Sequence, residues 1–156
     1  MSTSKYPLHG SCLCGAVRVR LTAAPLLTIA CHCRSCQKFS ASAYSLTIMF
    51  PVEAFSCSGA LDQGGLGLEG KNHFFCQSCK NFIYSRLDAA PQRVNLRTSI
   101  LDEASSFVPF VEVMTDSKMA WATVPAKHSF ETVPESADIL QAIMNEYQGG
   151  AVWSAQ

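Results

Sequence analysis

Short stretches of alternating apolar and polar residues predict that most of the chain forms β-strands. From Ala16 to Leu21, two valines and a leucine alternate with two arginines, which is the period of a strand with one buried face. Further strand-length stretches, mostly rich in aromatic or β-branched residues, are 26–30, 44–50, 54–58, 73–75, 82–86, 94–101 and 107–114. Pro109 in the last of these indicates an edge strand or a bulge. The glycine-rich stretch 59–70 predicts a mobile surface loop.

One helix is predicted, close to the C-terminal end. Ser136 is a suitable N-cap, and an apolar stripe at helical spacing follows it, made of Ile139, Leu140, Ile143, Met144 and Tyr147. Gly149 and Gly150 then end the helix. We therefore expect a mainly β fold with a C-terminal helix, in which residues 5–133 form one β domain, residues 134–148 the helix packed on it, and residues 149–156 a tail.

The composition fits a single globular domain with no charged partner. The chain has 156 residues, of which 48% are hydrophobic, enough for one core. Lys plus Arg and Asp plus Glu both number 12, so no net field attracts nucleic acid or anionic lipid. No apolar run approaches the roughly 18 residues of a membrane span, and the first residues contain no apolar signal core. We therefore expect a cytoplasmic protein with neither a membrane nor a nucleic-acid partner.

The eight cysteines are the unusual feature of this composition. In a reducing compartment they are expected to be metal ligands or redox groups rather than a disulfide framework. Seven of them lie in three short clusters, namely Cys12 with Cys14, Cys31 with Cys33 and Cys36, and Cys76 with Cys79. Spacings of one or two residues allow thiolates from one tight turn to converge on a single ion, with a Zn–S distance near ~2.3 Å.

The number of clustered cysteines favours a division into four and three. Zinc takes four protein ligands in a structural site, and three with an exchangeable position in a catalytic site. The two pairs can close a four-cysteine site, and the triplet then leaves a fourth position for water or a substrate thiol. Other divisions, such as the triplet with Cys12, leave an odd remainder. Tetrahedral thiolate sites also accept iron, but zinc is the commoner occupant.

Redox chemistry is the alternative interpretation of these cysteines. A thioredoxin-like C-x-x-C motif opens a helix after a strand, whereas Cys76 and Cys79 lie between two predicted strands. Cys57 stands alone in a predicted strand, which favours a place in the core over a reactive thiol. Trp121 could line a pocket, although a core position is the more usual role of such a residue.

Three motifs follow one another along the chain. They are Gly-Ser-Cys-Leu-Cys-Gly-Ala-Val from Gly10, Cys-His-Cys-Arg-Ser-Cys-Gln-Lys from Cys31, and Phe-Phe-Cys-Gln-Ser-Cys from Phe74. Together and in this order they resemble the glutathione-dependent formaldehyde-activating enzyme family, which also contains centromere protein V. The motifs extend from Gly10 to Tyr84, and the strand pattern up to Val124 is compatible with the resemblance.

The resemblance implies a β-tent fold of short antiparallel strands with two zinc ions per chain, and makes residues 5–133 the zinc-binding catalytic domain. Matching the motifs residue by residue gives as structural ligands Cys12, Cys14, Cys76 and Cys79, and as catalytic ligands Cys31, Cys33 and Cys36. Two positions depart from the family pattern, since Lys80 and Ala41 stand where family members commonly have glycine. Lys80 would then need a backbone with positive φ, and Ala41 would alter a pocket wall.

The implied activity is that of a carbon–sulfur lyase acting on a thiol–aldehyde adduct, with glutathione and formaldehyde as substrates. A zinc held by three thiolates would deprotonate an incoming thiol that coordinates it. His32, between two triplet ligands, is a candidate for orienting substrate or relaying a proton near this zinc. Arg34 and Lys38 flank the same cluster and are candidates for binding a substrate carboxylate. His73, three residues before Cys76, could substitute as a ligand of the structural site, but four cysteines already fill that site.

A second hypothesis is a non-catalytic, zinc-stabilised binding or scaffold module. Under it the triplet site would be capped by a fourth protein ligand, such as His32 or His73, or would stay empty. A triplet with no protein ligand at the fourth position, together with a zinc that solvent can reach, would count against it. The balanced charge gives little support to a third hypothesis, a nucleic-acid or cytoskeletal partner.

Overall fold

A computed structural model describes residues 5–65 and 69–149. These residues form eleven strands in two sheets, a short helix α1 (Arg34–Ser40) and a longer helix α2 (Ala137–Gly149). The prediction of a mainly β fold with a C-terminal helix is therefore confirmed. Among the described residues, neither helix has the length and hydrophobicity of a membrane-spanning segment. The chain divides into two compact units: the chain up to Pro25 with Met49–Ala104, and Leu26–Ile48 with the chain from Ser105 onward.

The first unit contains a small antiparallel sheet that leads into the first cysteine pair. Its strands, in the order β1-β2-β5, are β1 (Leu8–Ser11), β2 (Arg18–Leu21) and β5 (Phe55–Ser58). The alternation predicted for 16–21 is confirmed, because its valines and leucine are buried and its arginines are exposed. Cys12 and Cys14 lie in the turn between β1 and β2.

The first unit also contains an antiparallel meander that positions the second cysteine pair. Its strands are β6 (Leu61–Gly64), β7 (Lys71–Cys76), β8 (Phe82–Leu87) and β9 (Arg93–Arg97). The prediction that 59–70 is one surface loop is wrong for β6, because residues 61–64 pair with β7 at the edge of the sheet. Residues 66–68 lie outside the described residues. The predicted strand 94–101 is shorter than expected, because the 3-10 helix Thr98–Ile100 follows β9.

The second unit contains four strands in the order β11-β10-β3-β4. They are β3 (Leu27–Cys31), β4 (Ser45–Pro51, which leaves this unit after Ile48), β10 (Val111–Val113) and β11 (His128–Ser129). The expectation of antiparallel strands fails for β10, which pairs in parallel with both β3 and β11. A parallel pair requires a long connection, which the chain between β3 and β10 supplies. Pro109 precedes β10 and leaves its ladder intact.

Helix α2 begins where its cap predicts. The Oγ of Ser136 accepts the N–H of Ile139 at 3.3 Å, which confirms the predicted N-cap. Ile143 and Met144 are buried and the helix contacts β3, whereas Ile139 is exposed, so the buried stripe is narrower than predicted. The assignment of residues 5–133 to one catalytic domain stays a prediction, and the predicted tail beyond Gly149 lies outside the described residues.

Candidate metal centres

The first cysteine cluster brings together two pairs that are distant in sequence. The Sγ atoms of Cys12, Cys14, Cys76 and Cys79 all lie within 4.8 Å of one another. The distance is 3.6 Å between the Sγ atoms of Cys12 and Cys14, and 3.8 Å between those of Cys14 and Cys76. Thiolates at ~2.3 Å around a tetrahedral zinc are about 3.8 Å apart. The cluster therefore fits a tetrahedral ion in both donor type and spacing.

Both turns of this cluster direct backbone N–H groups at sulfur. The N–H of Val17 donates to Cys12 Sγ at 3.2 Å, and the N–H of Cys79 donates to Cys76 Sγ at 3.5 Å. The second turn is closed by the N–H of Lys80, which donates to the Cys76 carbonyl at 2.9 Å. Hydrogen bonds of this kind favour the thiolate over the thiol, which is the form that binds metal.

Asn81, which the sequence analysis did not single out, joins the two turns. Its Oδ1 accepts the N–H of Leu13 at 3.1 Å, and its backbone carbonyl accepts the N–H of Cys76 at 2.9 Å. Asparagine often bonds nearby backbone in turns, so its place two residues after Cys79 is the one signal that the sequence offers.

Neighbouring groups shift the pKa values of two thiols of the first cluster in opposite directions. Burial of Cys12 opposes ionisation, but the Val17 N–H and the thiols of Cys14 and Cys76 outweigh it and lower the pKa of Cys12 to about 6. The Ala16 N–H favours ionisation of Cys14, but its thiol neighbours, Cys12 foremost, raise the pKa of Cys14 to about 11. Adjacent thiolates repel one another, and a divalent cation removes that repulsion.

The second cluster, here called the triplet, lies wholly in the second unit. The Sγ atoms of Cys31, Cys33 and Cys36 lie within 4.8 Å of one another, and all three residues are half-buried. Cys31 ends β3, and Cys33 is the N-cap of α1, where its Sγ accepts the Cys36 N–H at 3.4 Å. Contact with Cys36, reinforced by burial, raises the pKa of Cys31. The sequence analysis did not predict α1, since seven residues are too few for a periodic stripe.

No fourth ligand atom from His, Cys, Asp or Glu joins the triplet among residues 5–65 and 69–149. His32 is fully buried, and its Nε2 donates to Oε2 of Glu112 at 2.9 Å. His73 belongs to the first unit, where its ring packs against Phe82. Neither histidine therefore supplies the fourth ligand that the capped form of the scaffold hypothesis calls for.

Glu112 on β10 is a second residue that the sequence analysis missed. Its Oε2 also accepts from Lys118 Nζ at 2.9 Å, and its Oε1 accepts from Ser129 Oγ at 3.0 Å. Burial opposes ionisation of Glu112, but these donors together with His32 outweigh it, so the pKa of Glu112 lies below its ordinary value. The carboxylate is thus ionised and fully partnered at neutral pH.

An open cleft of about 400 Å³ lies beside α1. Arg34 and Lys38, the predicted carboxylate-binding residues, line it and are exposed. Trp121 also lines it and is 75% exposed, so the expectation that it lies in the core is wrong. Each of two cleft residues, Arg34 and Gln37, directly follows a triplet cysteine in sequence, so α1 carries one triplet cysteine, Cys36, together with part of the cleft wall.

Both positions where glycine is common in the resembled family have left-handed backbone. Lys80 has a φ of 60°, as predicted, and Ala41 has a φ of 48° at the end of α1. The side chain of Lys80 is exposed and pairs with Asp62. Ala41 also lines the cleft, so the departure from glycine both strains the chain and adds a methyl group there.

Ala41→Gly is expected to raise the free energy of unfolding by about 0.5–1 kcal/mol. Left-handed backbone costs an L-residue roughly 1–2 kcal/mol, and the greater freedom of unfolded glycine offsets part of the gain. Ala142→Gly is the matched control, because Ala142 is exposed within α2 and the same change there should cost about 1 kcal/mol. Urea unfolding of both variants measures the effect. Destabilisation by both changes would contradict the strain at Ala41.

The family model of the glutathione-dependent formaldehyde-activating enzymes matches residues 7–117, a span that contains both cysteine clusters. The chain belongs to this family. A solved structure of a Rhodobacter sphaeroides protein is similar to it, with a TM-score of 0.52 and 19% identity over 65% of this chain and 97% of that chain. At that identity the likeness shows the fold alone. No curated protein sequence matches the chain significantly.

Membership of the glutathione-dependent formaldehyde-activating enzyme family connects the chain with glutathione and formaldehyde chemistry. The structure adds two cysteine clusters that can hold metal ions and whose thiolate donors suit zinc. The division into a structural and a catalytic site, and the substrate contacts of Arg34 and Lys38, stay predictions.

Proposed function

We propose that the protein is a zinc-dependent carbon–sulfur lyase of the S-(hydroxymethyl)glutathione synthase type. The triplet is the observation that carries the proposal. Its three half-buried thiols converge, and no fourth ligand joins them among the described residues. The chain that contains it belongs to the glutathione-dependent formaldehyde-activating enzyme family. In this proposal each chain holds two Zn²⁺, a catalytic one on the triplet and a structural one on the four-cysteine cluster. Glutathione supplies the thiol and formaldehyde the carbonyl group.

Zinc bound by the triplet would lower the pKa of the glutathione thiol and so keep its sulfur as a thiolate at neutral pH. In the reaction, a bond forms between that sulfur and the carbonyl carbon of formaldehyde, and the π bond of the carbonyl group breaks. The carbonyl oxygen gains a proton in place of the one that the thiol lost. The reverse reaction breaks the carbon–sulfur bond, restores the carbonyl group and returns the proton to the thiol. The chain contributes by binding the tripeptide so that its sulfur lies at the triplet. The reacting sulfur is then already positioned when formaldehyde arrives, which lowers the entropic cost of the reaction.

Arg34 and Lys38 are the proposed carboxylate-binding residues. They lie one turn apart on α1, both line the cleft, and α1 also carries Cys36. Oε1 of Gln37 accepts from the guanidinium of Arg34 and so helps to orient it. Trp121 adds exposed apolar surface against which the tripeptide can pack.

His32 has a positioning role in this proposal. Because the residue is fully buried, it does not touch a substrate in the cleft, and its ring instead anchors the loop between Cys31 and Cys33. We also place the protein in the cytoplasm, because all eight cysteines are free thiols and a reducing compartment keeps them available to metal.

Replacing both cleft cations, Arg34→Gln with Lys38→Met, is expected to raise KM for glutathione about tenfold and to leave kcat nearly unchanged. A hydrogen bond to a charged group contributes about 1.5–3 kcal/mol, and these contacts bind the ground and transition states alike. Arg18→Gln with Arg20→Gln on β2 is the matched control, since both arginines are exposed in the other unit.

The measurement is the initial rate of S-hydroxymethylglutathione formation above the spontaneous rate, across a range of glutathione concentrations. An equal rise in KM for the control pair would contradict the placement of glutathione in this cleft. A zinc-loaded wild type that does not exceed the spontaneous rate would contradict the activity itself.

A further inference from the structure

The triplet has a buried support that lies outside its ligands. Glu112 is 8% exposed, and its two oxygens accept three hydrogen bonds from side chains, those of His32, Lys118 and Ser129. Burying a carboxylate costs free energy unless such partners surround it. The three donors around Glu112 therefore make its burial possible. The partner that connects it to the triplet is His32, which lies between two of the three cysteines.

Three polar groups of His32 are hydrogen-bonded: its backbone N–H, its backbone carbonyl and its ring Nε2. Its N–H donates to the carbonyl of Val113 at 3.0 Å, and its carbonyl accepts from Nε2 of Gln37 at 2.7 Å. Its ring is held through Nε2 by Glu112 at 2.9 Å, whereas Nδ1 is buried without a hydrogen-bond partner among the described residues. Among the described residues, Glu112 is therefore the hydrogen-bond partner that orients the ring of His32.

Strand register explains why Glu112 reaches this loop. β10 pairs in parallel with β3, so that Glu112 lies opposite Ala30 and Val113 opposite Cys31. The strand that supplies the backbone acceptor for His32 thus also supplies the carboxylate for its ring. Cys31 and Cys33 flank His32 in sequence, so the backbone conformation at His32 contributes to how the two flanking thiols lie relative to each other.

We propose that Glu112 is a positioning residue for the triplet metal site, acting through His32 to hold the loop from Cys31 to Cys33 in the conformation where the three thiols converge. The inference rests on the proposed function, since it takes the triplet to hold a metal. Partners of metal ligands commonly orient them in this way; here the bond goes to the residue between two ligands. Lys118 balances the charge of Glu112, so the carboxylate adds no net repulsion to three thiolates.

The test compares zinc release from the loaded full-length protein to a chromogenic chelator. The phase that belongs to the triplet is the one absent from Cys33→Ser. Glu112→Gln is expected to accelerate that phase about 10- to 100-fold and to leave release from the four-cysteine cluster unchanged. The latter cluster serves as an internal control for folding, since all its ligands lie in the other unit.

Glu146→Gln is the matched control, with an expected change of less than about twofold. Glu146 also accepts from a histidine and a lysine, His128 at 2.7 Å and Lys127, but it lies on α2 and is more exposed than Glu112. Neither of its partners adjoins a cysteine in sequence. The contrast separates an effect on the triplet from the general loss of a charged pair.

Two further variants test the positioning role of Glu112. Ser129→Ala removes one donor to Glu112 and should accelerate the same phase to a smaller degree, even where Glu112→Gln does not fold. In a His32→Ala background, Glu112→Gln should add no further acceleration, because coupled residues are not additive.

Triplet release unchanged in both Glu112→Gln and Ser129→Ala, or full additivity with His32→Ala, would overturn the positioning role and leave the proposed function standing. A wild type with no zinc phase that depends on Cys33 would overturn the proposed function and this inference together.

Discussion

Cys79→Ser is expected to lower the free energy of unfolding by about 4 kcal/mol or more, among the largest effects of a single substitution in this chain. The four-cysteine cluster joins the turn after β1 to the turn after β7, and these lie far apart in sequence. Structural zinc contributes folding energy directly, with apparent values of about 10–16 kcal/mol in small zinc domains. Thermal unfolding should show a fall in Tm of about 8–16 °C for a chain of this size.

Cys57→Ser is the matched control for this prediction. Cys57 lies in the same unit, on β5 opposite Val19, is half-buried and belongs to neither cluster. Its replacement should cost less than about 1 kcal/mol. Chelator added to the wild type should bring its Tm towards that of Cys79→Ser. Equal Tm values for Cys57→Ser and Cys79→Ser would contradict a structural role for the four-cysteine cluster.

Cys33→Ser is expected to lower kcat/KM about 1,000-fold while shifting Tm by less than about 3 °C. The loss of a catalytic metal removes several kcal/mol of transition-state stabilisation, and about 4 kcal/mol corresponds to three orders of magnitude. The variant is conservative for the fold, because Cys33 is the N-cap of α1 and serine is among the preferred N-cap residues. Helix α1 should therefore persist when the ligand is lost.

The contrast between the two cysteine variants is what separates the two sites. Cys79→Ser should lose stability first and activity as a consequence, and Cys33→Ser should lose activity alone. Circular dichroism and initial rates on the same preparations measure both quantities. Equal thermal destabilisation by the two changes would contradict the division into structural and catalytic clusters.

The strands that the sequence predicts are those with a recognisable local pattern of residues. β2 follows from strict alternation, and β3, β4, β5, β7 and β8 from short runs of apolar, aromatic or β-branched residues. β1, β6 and β11 do not, because β1 and β6 contain glycine, β11 has only two residues, and all three exist through pairing with a neighbour. Pairing partners are tertiary information, which also explains why the parallel partners of β10 were not foreseen.

The candidate ligands are predictable because metal chemistry imposes short spacings on cysteine. Their supports are not, because the bonds that form them join distant residues: His32 and Glu112 are 80 residues apart, and Leu13 and Asn81 are 68 apart. Trp121 shows a third limit. Hydrophobicity favours burial of a tryptophan, and only the course of the chain around α1 reveals that this one lies at the surface beside the cleft.

The central claim, two separate metal sites of which the triplet is the catalytic one, is tested most directly by the zinc content per chain. Elemental analysis of the wild type, Cys79→Ser and Cys33→Ser, purified under reducing conditions, measures it. The account predicts two zinc ions per chain in the wild type and one in Cys33→Ser, with the remaining ion on the four-cysteine cluster. One zinc ion per chain in both the wild type and Cys33→Ser would contradict it.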